Sequence, residues 1–528
     1  MINNIKFHIN YKNKLFNVFI FSFIVALFLN IITPIIYLGD SNSYLEYANK
    51  LVDKNNGNEF KAYYRTSGYP LLLLLTGVVH FKSFIGIIVI QFLMAVFIPI
   101  LIYKILFFFD KKLAFYSALL SIITLIPYGF MKVILTEQSY IFMLLILVLC
   151  AANYIYKKKV IYIFIALITN SIFLLRANSI ALFFIFGIMF FVYSLKISKS
   201  AVFHSLLSIF IAILLLFSWS AAERFIINNP TENRNTSNTS STLGKMLFYN
   251  VYLSQADSPD EEIINESYGN ASKKLINVLT YDFADNHDNF IHEINRVQHI
   301  KSVDYFYNQY INHPQQLIDQ IISSPSRSYY WSLWHVLDKI LGPREANSLL
   351  FRVSIEIIKK KPSVFLKYLF RNLYFYTLGY NATYTYSKDE RERFGKSKPT
   401  LDGLFLYTPD PATTTVDLSD QMNKELKFRF LNKKGFDINN YFHKKIWPYF
   451  FLFFRPLIFI FMIIAFVLNL RSRHFVFFLI VFLTIIFHIF VVCAFNTPLT
   501  RYILHVFLLE YIMAAAGVYY LFKKIRII

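Results

Sequence analysis

Ten apolar runs, most of them long enough to cross a bilayer, constrain this chain more than any other feature. They fall near residues 15–37, 84–107, 113–129, 138–156, 160–175, 178–195, 201–221, 447–469, 474–494 and 502–522. About 20 apolar residues wound as a helix match the hydrocarbon thickness, and lipid offers no hydrogen-bond partner to backbone left outside a helix. The sequence therefore predicts an all-α polytopic membrane protein of about 10 transmembrane helices. Composition agrees, since 56% of the 528 residues are hydrophobic and only 16% charged. That balance excludes the string of soluble domains the length alone would allow.

Charge then orients the spans. Between Ala222 and Lys445 there are 28 basic and 25 acidic residues, so the net charge of +21 comes almost entirely from elsewhere. A nucleic-acid binder would gather such a surplus on a soluble face. Here it sits in short loops: Lys111-Lys112, Lys157-Lys158-Lys159, Lys196 with Lys199, Arg471 with Arg473, and Lys523-Lys524 with Arg526. With ten spans, all of these share the side of the N-terminus, which the positive-inside rule makes cytoplasmic. The expected location is a multi-pass plasma (inner) membrane. The first run, preceded by Lys6, Lys12 and Lys14, reads as a span rather than a cleavable signal. Cys150 and Cys493 both lie inside apolar runs, so no disulfide framework is expected.

Three parts follow: a transmembrane module 1–221 with its first outward loop at 39–67, a mostly helical extracytoplasmic region 222–446, and C-terminal transmembrane helices 447–528. Residues 68–82 are apolar but short, and read as an interfacial or half-inserted helix leading into the second span. The outward region opens with an Asn-, Ser- and Thr-rich tract at 228–242 and contains an amphipathic helix starting at Pro362. It has no zinc-ligand spacing, phosphate-binding glycine loop or Gly-X-Ser-X-Gly elbow.

Chemistry-bearing residues collect at the outward ends of the spans. Asp40, in Gly39-Asp40-Ser41-Asn42-Ser43-Tyr44, places a carboxylate where water meets lipid, a costly position. The Asp-Ser-Asn-Ser order also suits a helix N-cap. Glu137 opens the fourth span, where it either serves chemistry or complements the helix dipole. Arg65, Arg176 and Arg501 lie at the same level. Each alone is explained by snorkelling to the headgroups. Together, with few acids near, they suggest an anion such as a lipid-linked phosphate. His505 lies one turn below Arg501, and Tyr44, Tyr63, Tyr64 and Tyr69 could stack on sugar or grip an isoprenoid.

At these residues the chain resembles the GT-C superfamily of polyprenyl-phosphate-sugar-dependent glycosyltransferases, in its bacterial branch related to protein O-mannosyltransferases and the lipid A aminoarabinose transferase. The likeness rests on Asp40 through Tyr44, on Arg65-Thr66-Ser67-Gly68-Tyr69-Pro70, on Thr136-Glu137, on Arg176 and on Arg501-Tyr502. Ser67 stands where the family usually has proline. The first 200 or so residues match well, the last span moderately, and 222–446 hardly at all.

The resemblance implies displacement at the anomeric carbon of a sugar on a polyprenyl phosphate, on the extracytoplasmic face. Asp40 would be the base for a lipid, glycan or protein acceptor hydroxyl. Arg65, helped by Arg176 and Arg501, would bind the leaving phosphate. Glu137 would position the acceptor or hold Arg65, with Tyr44, Tyr64, Tyr69 and His505 against substrate. One base and no carboxylate nucleophile imply inversion. No cofactor, structural metal or nucleic-acid partner is expected, and a divalent ion bridging Asp40 and Glu137 stays open. The competing classes are a flippase or transporter of lipid-linked sugars, which would concentrate charge at mid-membrane, and a membrane scaffold.

Overall fold

The computed structural model describes residues 11–33, 35–37, 39–52, 66–157, 162–176, 180–227, 243–254, 264–282, 340–378, 418–427, 447–495 and 500–525, with isolated positions from 319 to 338. Among them no strand forms, and a lone parallel bridge joins Ile36 to Val133. The helices are α1 (Tyr11–Ile32), α2 (Gly39–Val52), α3 (Gly68–Leu75), α4 (Val78–Phe81), α5 (Ile85–Leu106), α6 (Lys111–Ile123), α7 (Glu137–Lys157), α8 (Tyr162–Leu175), α9 (Ile180–Leu195) and α10 (Lys199–Ile227). There follow α11 (Leu243–Ser254), α12 (Asn270–Asn277), α13 (Pro343–Lys360), α14 (Pro362–Leu378), α15 (Asp420–Lys427), α16 (Trp447–Leu468), α17 (Phe475–Phe495) and α18 (Thr500–Lys524).

Each apolar run of the sequence carries one helix: α1, α5 to α10, and α16 to α18. Among the described residues, six helical stretches are long and apolar enough to cross a membrane: Lys14–Ile32, Ile85–Leu106, Glu137–Lys157, Lys199–Trp219, Phe475–Ala494 and His505–Lys524. The described residues are thus nearly all helical and compatible with an all-α membrane protein. At 13 and 14 residues, α6 and α8 fall short of that length. Bulky apolar side chains face outward along these helices, Phe16 at 61% exposure and Phe210 at 60% among them. In water such a surface would aggregate, and lipid is the solvent that suits it.

Two compact units divide the chain. One comprises Met1–Ile227, Leu401–His488 and Thr500–Ile528; the other comprises Asn228–Thr400 and Ile489–Leu499. In the first, local chemistry explains the helix ends. Asp110 caps α6, accepting from the backbone N–H of Lys112 and Leu113 at 2.8 and 2.9 Å. The start of α5 is capped from far along the chain, because Glu425 on α15 accepts from Phe84 N at 2.7 Å and Ser83 Oγ at 2.5 Å. Residues 68–82 form two short helices instead of one, broken where Gly77 takes a left-handed φ of 75°. Deep between α16 and α18, Arg455 and Glu510 pair at 3.0 Å, and neither has any exposed surface.

The second unit is organised by α13. Asn347 accepts from Gly244 N and Lys245 N at 2.9 and 3.1 Å, which caps α11. Nine residues on, half a turn around the helix, Glu356 accepts from Ala271 N at 3.0 Å and from Ser272 N and Oγ at 2.8 Å, which caps α12. Lys245 is buried against Asp338, its Nζ 2.5 and 2.7 Å from the two carboxylate oxygens, while Trp334 Nε1 donates to the same carboxylate at 2.9 Å. Burial holds the Lys245 ammonium below its ordinary value despite the attraction of Asp338.

Candidate functional site

The first unit brings one set of the singled-out residues together. Glu137 is the first residue of α7 and almost wholly buried; a charge so placed needs a partner. Arg176, one residue beyond α8, supplies it: Nη1 lies 3.0 Å from Glu137 Oε1, with side-chain exposures of 12% and 2%. The same nitrogen lies 3.1 Å from Thr136 Oγ1 and 3.1 Å from His505 Nε2 on α18. Nη1 carries only two hydrogens, so at most two of these three close contacts are full hydrogen bonds at once. The starts of α7 and α18 and the end of α8 thus meet at one nitrogen. Around His505 the rings of Tyr140 and His488 pack at centroid distances of 4.7 and 5.4 Å.

The chain approaching Asp40 is stitched to the chain approaching Glu137. Ile36 N donates to Lys132 O at 2.8 Å, and Ile134 N donates to Ile36 O at 3.0 Å. Next to Asp40, Ser41 Oγ donates to Ile134 O at 2.7 Å. Asp40 is the second residue of α2, inside the first turn rather than before it, where a carboxylate complements the exposed N–H groups. Its side chain lies outside the described residues. So do Tyr63, Tyr64 and Arg65 entirely, and the side chains of Arg501 and Tyr502.

Tyr44 and Tyr69 are buried and meet edge to face at 5.2 Å, so they pack on one another instead of lining an open surface. Burial foremost, then the charge of Glu137 and the neighbouring Tyr44, pushes the Tyr69 hydroxyl well above the usual phenol range, against a hydrogen bond from Gln91. Two residues set this arrangement without having stood out in sequence. Gln91, fully buried on α5, donates through Nε2 to Val133 O at 2.9 Å and Leu135 O at 3.3 Å, holding the strand of chain just before Glu137. Trp219 on α10 donates to Ser67 Oγ at 2.6 Å. A proline at position 67 could not make that bond. Gly68 lets α3 approach α8, since a Cβ there would meet the backbone of Leu174 at 2.6 Å. Lys132, in the same loop, is held down to about 8 by burial.

The signals for Gln91 and Trp219 were single polar or indole groups inside apolar runs, and only packing tells such a group from a lipid-facing one. Arg455 is the third of this kind. Among the described residues, no group of three or more His, Cys, Asp or Glu could hold a metal ion. Compared with family models, with curated proteins and with solved structures, the chain finds no match.

Proposed function

We propose that the protein is an integral-membrane glycosyltransferase of the GT-C kind, with ten spans, its site on the extracytoplasmic face of the plasma membrane, and a polyprenyl-phosphate sugar as donor. The acceptor is a hydroxyl of a lipid, glycan or protein. The observation that carries this reading is the stitching of Ile36 and Ser41 to the 132–134 segment. It joins the turn bearing Asp40 to the Glu137–Arg176–His505 node at the ends of apolar helices, where a lipid-linked substrate presents its headgroup.

In the proposed reaction the acceptor oxygen attacks the anomeric carbon as the bond from that carbon to the phosphate oxygen breaks. Asp40 takes the hydroxyl proton, and polyprenyl phosphate leaves with the bonding electrons. Inversion follows from a single displacement. A hydroxyl is a weak nucleophile without a base in hydrogen-bond reach, so Asp40 governs the rate of chemistry. Arg65 and Arg501 bear on the developing phosphate charge. Arg176 is already balanced by Glu137, so the pair supports reading Arg176 as the phosphate's inner guide and Glu137 as the residue that orients it. Tyr44 and Tyr69 support the wall, His505 holds Arg176, and Tyr64 is assigned to substrate on the motif alone.

One observation favours transport instead. Arg455 and Glu510 form a fully buried pair well inside their helices, and intramembrane charges often mark a translocation path. Incubating membranes with a panel of radiolabelled polyprenyl-phosphate sugars separates the two. A transferase moves label to a new product and loses this with Asp40→Asn. A transporter moves label across the bilayer unaltered, and Arg455→Leu with Glu510→Leu abolishes the movement.

A further inference from the structure

Helix α14 has two faces of unequal character. Tyr368, Leu369 and Asn372 are buried. Leu366, Phe370 and Tyr374 recur every four residues along the other side, at 45%, 64% and 57% exposure. These values match those of Phe210 and Phe217 on α10, 60% and 72%, which belong to a membrane-crossing helix. The helix carries Lys367 and Arg371 and no acid, and it follows the exposed Lys359 and Lys360 at the end of α13.

The buried face is tied to the end of an apolar helix of spanning length. Tyr368 Oη donates to Asn250 Oδ1 at 3.2 Å, and Asn250 Nδ2 donates to Ala494 O at 3.0 Å. Ala494 is the last residue of the apolar span of α17, at the end remote from Arg471 and Arg473. Two side chains therefore separate α14 from the last residue of the apolar stretch of α17. An apolar stripe beside basic residues at that height fits an interfacial helix: the rings enter the headgroup and upper acyl zone while the ammonium groups meet lipid phosphates.

We propose that α14 is a lipid-contacting helix, its Leu366–Phe370–Tyr374 stripe immersed in the leaflet surface that α17 reaches and its flanking lysines selecting anionic headgroups. This rests on α17 as a span and is independent of the catalytic reading. The test uses the full chain in lipid nanodiscs, nitroxide-labelled at Phe370→Cys, at Tyr374→Cys as a second reporter, and at Arg344→Cys at the far end of α13 as the water control. Signal from the native cysteines is subtracted using the unsubstituted protein. Collisional relaxation should show both α14 labels favouring oxygen over an aqueous nickel chelate, and the Arg344 label the reverse. Adding phosphatidylglycerol to phosphatidylcholine should move the α14 labels deeper, and the triple change Lys359→Gln, Lys360→Gln, Lys367→Gln should erase that shift. Labels on α14 as open to the chelate as the one at position 344 would overturn the proposal. So would spin–spin broadening at position 370 from a second copy, which would make the stripe a protein interface.

Discussion

Buried Glu137 and half-buried Arg176 are a pair whose value lies in being kept together. Taking either charge from water is expensive, and removing one partner strands the other, at about 3–5 kcal/mol. A double-mutant cycle on Glu137→Gln and Arg176→Leu, read by unfolding of the purified protein, should give a coupling of about 1–3 kcal/mol; strictly additive effects would dissolve the node. Arg65 is expected to act differently, through the transition state. Arg65→Ala should lose roughly 2–4 kcal/mol of transition-state stabilisation and Arg65→Lys should recover part of it. Unchanged turnover in Arg65→Ala would remove it from the mechanism. The residues themselves were legible, because an acid or arginine at the end of an apolar run stands out at once. Their pairing was not: Glu137 and Arg176 are 39 positions apart, and which arginine meets which acid depends on how α7, α8 and α18 pack. Gln91 was invisible for the opposite reason, since one amide in a long apolar run leaves the periodicity unchanged.

Among elements, the apolar helices were the easiest to read, because in lipid an apolar run and a helix are the same requirement. The break of 68–82 at Gly77 was harder, as a lone glycine in an apolar stretch is compatible with a continuous helix. Long-range caps were harder still: Glu425, capping α5, and Glu356, capping α12, satisfy N–H groups far away in sequence. Burial alone would raise the Glu356 carboxyl, but the N–H groups of Ala271 and Ser272, the Ser272 hydroxyl and Arg352 outweigh it and hold it below its ordinary value. A depressed carboxylate stabilises fully above its unfolded value and loses that contribution as pH falls through the folded one. Hydrogen exchange at Ala271 and Ser272, corrected for intrinsic pH dependence, should therefore quicken on acidification from neutral pH. Glu356→Gln should be fast at both ends. Equal protection across the range in the unaltered protein would mean the cap contributes nothing to α12.

For the whole molecule, the alternation of basic and acid-bearing loops carries the proposal that residues 222–446 lie outside the cytoplasm. A cysteine at Ser237, which falls outside the described residues, should react with an impermeant reagent in intact cells. Reaction only after lysis would invert the protein and put Asp40 on the wrong face. The central claim is narrower: one carboxylate at the start of α2 takes the acceptor proton while the donor is held by other groups. Comparing donor affinity with single-turnover transfer in Asp40→Asn tests it most directly. Binding of the polyprenyl-phosphate sugar should be unaltered and transfer slowed at least ~100-fold, the low end for loss of a general base. Transfer at the unaltered rate, or a loss confined to binding, would contradict it.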